Sequence, residues 1–64
     1  MYVSHRNYEA EILDALSKKR MTIQELSDEL KVSRPTIDKY INRLEAQGLV
    51  DYEFLGIAKL YWRR

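Results

Sequence analysis

Two helix-start signals follow each other closely in the middle of the chain. Thr22-Ile23-Gln24-Glu25 is a capping box, in which the threonine hydroxyl and the glutamate carboxylate each bind an amide at the start of the same helix. Ser33 followed by Pro35 is a second start, with serine as N-cap and proline in the first turn, where amides have no intrahelical acceptor. One helix ending at about Leu30 or Lys31 fits between them. The sequence therefore predicts two short helices joined by a tight turn.

The second helix of this pair runs from about Arg34 to Gln47, because Gly48 is a suitable left-handed residue just past its end. Its apolar residues recur at helical spacing and predict a buried stripe: Ile37, Tyr40, Ile41 and Leu44. Side chains turned away from that stripe are predicted to be solvent-exposed: Arg34, Pro35, Thr36, Asp38, Lys39, Asn42 and Arg43.

An earlier helix is predicted from Tyr8 to Lys18, with Asn7 as its N-cap. After Gly48 the apolar period changes to two, which indicates a β-hairpin. Its inward residues are expected to be Val50, Tyr52, Phe54, Leu60 and Trp62. A two-residue Leu55-Gly56 turn would send the second apolar set to the wrong face, because a one-residue slip inverts a strand. We therefore predict a three-residue tip, Leu55-Gly56-Ile57, with Glu53 opposite Lys59.

Most aromatic side chains are predicted to form the core of this small domain rather than stacking platforms for single-stranded nucleic acid. The inward set is Tyr8, Tyr40, Tyr52, Phe54 and Trp62. Tyr2 and Tyr61 are expected to point outward, where they are candidates for a subunit interface.

The length and composition restrict the function. The 64 residues make one domain, residues 1–64, without room for a separate sensing or catalytic unit. There is no cysteine and only one histidine, His5, so we expect no metal site and no cofactor. Neither a signal peptide nor a membrane span is visible, which predicts a cytoplasmic protein. The start methionine and the end at Arg64 favour a whole small protein of the kind found in archaeal, plasmid or viral genomes.

The net charge of +1 is unevenly distributed along the chain. Residues 1–30 hold four basic and six acidic side chains, a net −2, whereas residues 31–64 hold seven basic and four acidic ones, a net +3. The basic half contains the second helix of the pair and the hairpin, which favours an acidic partner on that side.

From Tyr8 to Trp62 these elements resemble the winged helix-turn-helix family of DNA-binding domains. The resemblance implies an α+β, mainly α, fold of three helices followed by a two-stranded hairpin wing. Met21-Thr22 is the candidate for the short third strand that the family often has. It also implies that the helix from about Arg34 to Gln47 lies in the major groove of double-stranded DNA.

The resemblance also implies which residues touch DNA. Arg34 and Lys39 can donate to guanine, Thr36 can meet thymine, and Asn42 can bind adenine. The remaining predicted contacts are to the backbone or at the helix entry: Lys31, Ser33, Pro35, Arg43, Lys59 and Arg63. Asp38 departs from the expected basic character: it must face away from the DNA, pair with Lys39 or Arg34, or accept from the N4 group of cytosine, and we favour the intramolecular pair.

The wing tip Leu55-Gly56-Ile57 carries no charge, so its grip on DNA is expected to be weak or absent. It either contacts another protein or folds inward onto the core.

The function that the resemblance implies is that of a sequence-specific transcription regulator, which we expect to be a repressor that binds double-stranded DNA as a homodimer without a small-molecule effector. The alternative is a winged-helix protein-interaction module in a larger assembly. An enzyme is disfavoured because no nucleophile, base and orienting group occur together.

Overall fold

The computed structural model describes residues 6–64, so the predictions for Tyr2, His5 and the first residues lie outside the described part. The elements in chain order are α1 (Tyr8–Lys18), β1 (Met21–Thr22), α2 (Ile23–Leu30), α3 (Arg34–Ala46), β2 (Val50–Leu55) and β3 (Ala58–Arg63). The strands form one antiparallel sheet in the order β1-β3-β2. The predicted three helices, hairpin wing and short third strand are confirmed.

The starts of α1 and α2 are fixed by the predicted caps. The Asn7 side chain accepts a hydrogen bond from the amide of Ala10 at 3.0 Å. Both bonds of the capping box are present, from the Glu25 amide to the Thr22 hydroxyl at 3.2 Å and from the Thr22 amide to the Glu25 carboxylate at 2.9 Å. These contacts satisfy amides that the helices themselves leave without acceptors.

The turn between α2 and α3 is short because Lys31 adopts a left-handed conformation with φ of 58°. Ser33 is the N-cap residue of α3, but its hydroxyl makes no capping hydrogen bond. It lies 2.9 Å from the Thr36 hydroxyl instead. The predicted capping bond from Ser33 is therefore wrong, because the serine hydroxyl pairs with the Thr36 side chain rather than with a free amide.

The end of α3 is a Schellman motif around Gly48. Gly48 has φ of +76°, and its amide donates to the carbonyl of Glu45 at 2.9 Å. The Leu49 amide donates to the carbonyl of Leu44, also at 2.9 Å. Glycine is suited to this position because a side chain would strain the left-handed backbone. The chain thus turns sharply from α3 into β2.

The core lies between the three helices and the inner face of the sheet. It consists of Ile12, Ala15, Leu16, Met21, Leu26, Val32, Ile37, Ile41, Leu44, Val50 and Tyr61. Tyr8 and Tyr40 are half-buried beside it, with ring centroids 5.2 Å apart. The inward face of α3 is therefore packed, and only its opposite face can meet a partner.

The hairpin differs from the prediction in its turn and in its register. The turn has two residues, Gly56 and Ile57, between paired Leu55 and Ala58. Gly56 has φ of +65°, as the first central residue of a type II′ turn requires. The predicted three-residue tip is wrong.

This register inverts β3 relative to the prediction. Tyr61 lies opposite both Met21 and Tyr52 and is only 1% exposed, so its predicted outward position is wrong. Trp62 is half-buried on the other face of the sheet, where the Arg20 guanidinium lies 4.4 Å from its ring centroid. Phe54 is likewise predicted to point inward, but it is 65% exposed, because the last residues of β2 extend beyond the core.

The predicted pairing of Glu53 with Lys59 is wrong for the same reason. Glu53 lies opposite Leu60 and forms an ion pair with Arg20 at 3.4 Å. Lys59 lies opposite Phe54 instead.

None of the helices within residues 6–64 is long and apolar enough to cross a membrane.

Candidate nucleic-acid interface

The outer ridge of α3 is the centre of the candidate interface. Pro35, Lys39 and Asn42 are exposed on it. They lie opposite the packed stripe of Ile37, Ile41 and Leu44, because successive side chains turn by about 100° around a helix. The tight turn from α2 leaves this ridge uncovered by the described residues.

All ten predicted contact residues reach solvent. Eight are exposed and two, Thr36 and Lys59, are partly buried. The eight exposed ones are Lys31, Ser33, Arg34, Pro35, Lys39, Asn42, Arg43 and Arg63. The fold therefore permits each contact.

The two flanks of α3 differ in charge. On one flank the side chains of Lys39 and Arg43 lie over the half-buried ring of Tyr40, with the charged groups 5.4 and 5.6 Å from its centroid. The other flank, which faces the wing, holds the carboxylates of Asp38 and Glu45 together with Arg34. The electrostatic potential around α3 is therefore more positive on the Tyr40 side than beside the wing.

Arg6, a cation that the sequence did not single out, lies near the basic flank. Its guanidinium is 5.0 Å from the centroid of Tyr8, which itself stacks with Tyr40. It is tied to the Glu11 carboxylate and also donates to the Leu30 carbonyl at 3.2 Å. The ion pair raises the pKa of Arg6 and lowers the pKa of Glu11, mainly through the shared hydrogen bond. Its charge is thus largely compensated within the chain.

A groove of about 790 Å³ separates the start of α3 from the wing. Arg34, Pro35 and Asp38 line it from α3, and the wing contributes Lys59 with apolar side chains that include Ile57. The Lys59 ammonium lies 4.3 Å from the centroid of the Tyr52 ring. The structure therefore brings Arg34, Pro35 and Lys59 to one groove.

Arg63 lies away from this groove. It is paired with Val50 at the opposite end of the hairpin from the tip. The amide of the next residue, Arg64, donates to the Leu49 carbonyl just beyond α3. A contact from Arg63 would therefore be to a different part of a ligand from the one that Lys59 reaches.

Asp38 has a different partner from the predicted one. Its carboxylate accepts a hydrogen bond from the Asn42 side-chain amide at 3.4 Å, one helical turn away. Arg34 donates to the Gln24 side chain instead, at 3.0 Å. The predicted pair of Asp38 with Lys39 or Arg34 is wrong, because helical spacing places Asn42 beside it. Asp38 keeps its charge on the surface.

Gln24 is a residue of this site that the sequence pattern does not single out. It lies in the first turn of α2, where its amide donates to Asp28 at 3.0 Å and its carbonyl accepts from Arg34. The spacing of four residues to Asp28 is a recognisable helical pair. Nothing in the sequence points to the contact with Arg34, which crosses from one helix to the other.

The wing tip is exposed rather than folded onto the core. The exposed fractions are 65% for Phe54, 60% for Leu55 and 103% for Ile57. Of the two arrangements left open by the sequence, this excludes the inward one.

Within residues 6–64 there is no group of three His, Asp or Glu side chains that could hold a metal ion.

Solved structures of other proteins share this fold. Reduced HlyU from Vibrio cholerae is 22% identical with a TM-score of 0.84, over 91% of this chain and 61% of that chain. The adhesin competence repressor AdcR from Streptococcus pyogenes is 22% identical with a TM-score of 0.85, over 92% and 46% of the two chains. A mutant of Lactococcus lactis ZitR is 20% identical with a TM-score of 0.87, over 97% and 44%.

The chain thus spans less than two thirds of each of these structures. No curated protein matches it in sequence. At these identities the structures establish a common fold, and the sequence itself carries the family assignment. The model of the bacterial regulatory protein family arsR matches residues 10–52, from within α1 to the first half of β2. The chain therefore belongs to the ArsR family of bacterial regulatory proteins, which are winged helix-turn-helix transcription regulators that bind DNA.

Proposed function

We propose that this domain binds double-stranded DNA sequence-specifically and represses transcription, with α3 in the major groove. The observation that supports this proposal is the polarity of α3. Lys39 and Asn42 stand exposed on its outer ridge, whereas Ile37, Ile41 and Leu44 on the opposite face are at most 1% exposed. The major groove of B-DNA is wide enough to admit an α-helix.

The residues at the start of α3 and on its ridge are proposed to read bases. Arg34 and Lys39 carry donors for the O6 and N7 atoms of guanine, and the Asn42 amide matches the N6 and N7 atoms of adenine. Thr36 offers a hydroxyl and a methyl group for thymine. Asp38, on the wing side, can accept from the N4 amino group of cytosine. Each good bidentate pair discriminates against a wrong base by about 1–3 kcal/mol.

Other side chains are proposed to hold the phosphate backbone. Arg43 extends from the basic flank of α3, and Lys59 faces Arg34 across the groove beside the wing. Lys31 and Ser33 lie at the entry to α3, and Arg63 lies at the base of the wing. Such contacts fix the position of the domain on the duplex without selecting a sequence.

The small size of the domain bears on its binding unit. One module of this size buries roughly 600–1,000 Å² of protein surface on DNA, so a homodimer on two half-sites is the expected binding unit. The proposed location is the cytoplasm, where the DNA is. We propose neither a catalytic activity nor a small-molecule effector for this domain.

A random-duplex selection with the mass of the complex measured in parallel tests the proposal. It should return a motif with two-fold symmetry bound by two chains. With about four phosphate contacts in each domain, each bound domain should contribute about −3.6 to the log-log slope of affinity against salt concentration. A sample that selects no sequence and binds no duplex in dilute buffer would contradict the proposal.

The double variant Arg34→Ala, Lys39→Ala should lose specific binding while its unfolding midpoint stays near that of the wild type, because both residues are exposed. The matched control is Lys18→Ala, Lys19→Ala, which removes two exposed cations at the end of α1, outside α3 and the wing. The control should keep the selected motif.

A protein-interaction module is the second candidate, favoured by the exposed apolar tip of Leu55 and Ile57. Binding of this kind buries apolar surface and should depend little on salt. A partner that is lost with Leu55→Ser, Ile57→Ser but kept with Arg34→Ala, Lys39→Ala would support it over DNA binding.

A further inference from the structure

A chain of three polar side chains links α2 to the start of α3. The Asp28 carboxylate accepts from the Gln24 amide at 3.0 Å, and the Gln24 carbonyl accepts from the Arg34 guanidinium at 3.0 Å. All three residues are exposed. These hydrogen bonds thus join the two helices of the helix-turn-helix through side chains, beside the groove that Gln24 and Arg34 both line.

The Asp28 contact determines which end of Gln24 meets Arg34. A glutamine amide can present either its carbonyl or its NH₂ group to a neighbour. A carboxylate can only accept, so Asp28 takes the NH₂ group and leaves the carbonyl directed at α3. That carbonyl is the group a guanidinium can bind. The negative charge of Asp28 also strengthens the second bond by polarising the amide between them.

The Gln24 contact leaves Arg34 able to bind a base. A guanidinium has five N–H donors, of which Gln24 engages one at Nη1. A bidentate contact to guanine needs two donors in a fixed fork. Arginine otherwise loses much side-chain freedom when it is immobilised on a ligand. Holding it in the free protein reduces that loss on binding.

We infer that Gln24 is a positioning residue, which sets the specificity of the domain by orienting the Arg34 guanidinium from α2. The inference rests on the proposed function and deepens it. Gln24 does not need to touch a base itself. Its effect on recognition passes through Arg34, and Asp28 supports it from the next turn of α2.

A double-mutant cycle on the selected duplex tests the inference. Gln24→Ala should weaken binding about three- to tenfold, the range expected for ordering one long side chain. The preference at the base read by Arg34 should flatten, while preferences elsewhere in the motif remain. In an Arg34→Ala background the same substitution should change affinity by less than about twofold, because the group that it orients is gone. Equal losses in both backgrounds, or tighter binding by Gln24→Ala, would overturn the inference.

A measurement on the free protein separates orientation of Arg34 from a general structural effect. The order parameter of the Arg34 Nε–H bond, from ¹⁵N relaxation, should fall in Gln24→Ala and stay at its wild-type value in Gln47→Ala. Gln47 is the other glutamine of the chain and lies at the opposite end of α3. An unchanged order parameter in Gln24→Ala would also overturn the inference. Failure of the wild type to bind any duplex would instead overturn the proposed function, and this inference with it.

Discussion

Tyr61 packs against Tyr52 across the β2–β3 ladder, with ring centroids 5.6 Å apart and planes inclined by 48°. Phe54 adds an edge-on contact to Tyr52 at 5.7 Å. Tyr61 is the member of this row that enters the core, and it is 1% exposed. Burial raises the pKa of Tyr61 to about 12, and the nearby carboxylates of Glu45 and Asp38 add to the effect.

The raised pKa of Tyr61 predicts a loss of stability in alkaline solution. Between the usual tyrosine pKa of 10 and the folded value of about 12, the unfolded chain loses the phenol proton while the folded chain keeps it. Because the unfolded state then binds fewer protons, the free energy of unfolding falls as the pH rises. At about pH 11 this group should account for a loss of roughly 1.4 kcal/mol.

Urea unfolding of wild type and Tyr61→Phe at about pH 8 and pH 11 measures this effect. All other ionisable groups are common to the two proteins, so the difference between their losses of stability from pH 8 to pH 11 isolates Tyr61. The variant should lose less stability than the wild type over this interval. Equal losses would show that the phenol titrates normally in the folded chain.

The two helix entries predict different costs for removing a hydroxyl. Thr22→Ala breaks the bond between the threonine hydroxyl and the Glu25 amide and should reduce the free energy of unfolding by about 1 kcal/mol. Ser33→Ala removes a hydroxyl that pairs with Thr36 and caps no amide, so it should cost less than about 0.5 kcal/mol. Thermal or urea unfolding of both variants provides the comparison. A larger loss for Ser33→Ala than for Thr22→Ala would contradict this assignment.

The end of α3 predicts a backbone effect at Gly48. Nothing lies within 4 Å of a Cβ placed there, so Gly48→Ala meets no steric clash. Its φ of +76° still disfavours alanine, and the free energy of unfolding should fall by about 1–2 kcal/mol. Gly48→Asn should lose less, because asparagine tolerates the left-handed region better. If the two variants are equally stable in urea, the left-handed backbone does not set the cost.

The local signals in the sequence were sufficient for the helices. The Thr22–Glu25 capping box, the Asn7 cap and Gly48 each act within a few residues, so the pattern alone places them. The exposed ridge of α3 also follows from its spacing, since a buried stripe of Ile37, Ile41 and Leu44 leaves the opposite face to solvent.

The hairpin register depended on contacts distant in the sequence. In β3, Leu60 and Trp62 lie on one face and Tyr61 on the other, so both faces are partly apolar and alternation does not decide between them. The choice is made by β1, which pairs Met21 with Tyr61 and places both side chains in the core. The hydrogen-bond partners at the site could not be predicted from the sequence either, because exposed side chains such as Arg34 and Asp38 can adopt several rotamers.

The exposed wing tip predicts a small role in DNA binding. Leu55 and Ile57 are 60% and 103% exposed and carry no charge, so they release no counterions from DNA. Leu55→Ser, Ile57→Ser should change duplex affinity by less than about twofold and leave both the salt slope and the unfolding midpoint near the wild-type values. Lys59→Ala is the comparison, because it removes one cation from the same hairpin and should make the slope shallower by about 0.9 for each bound domain. Titrations of both variants at several salt concentrations measure these changes. If the serine variant instead bound tenfold more weakly with an unchanged slope, the tip would be inserting apolar side chains into the minor groove, as wedge residues of other DNA-binding proteins do.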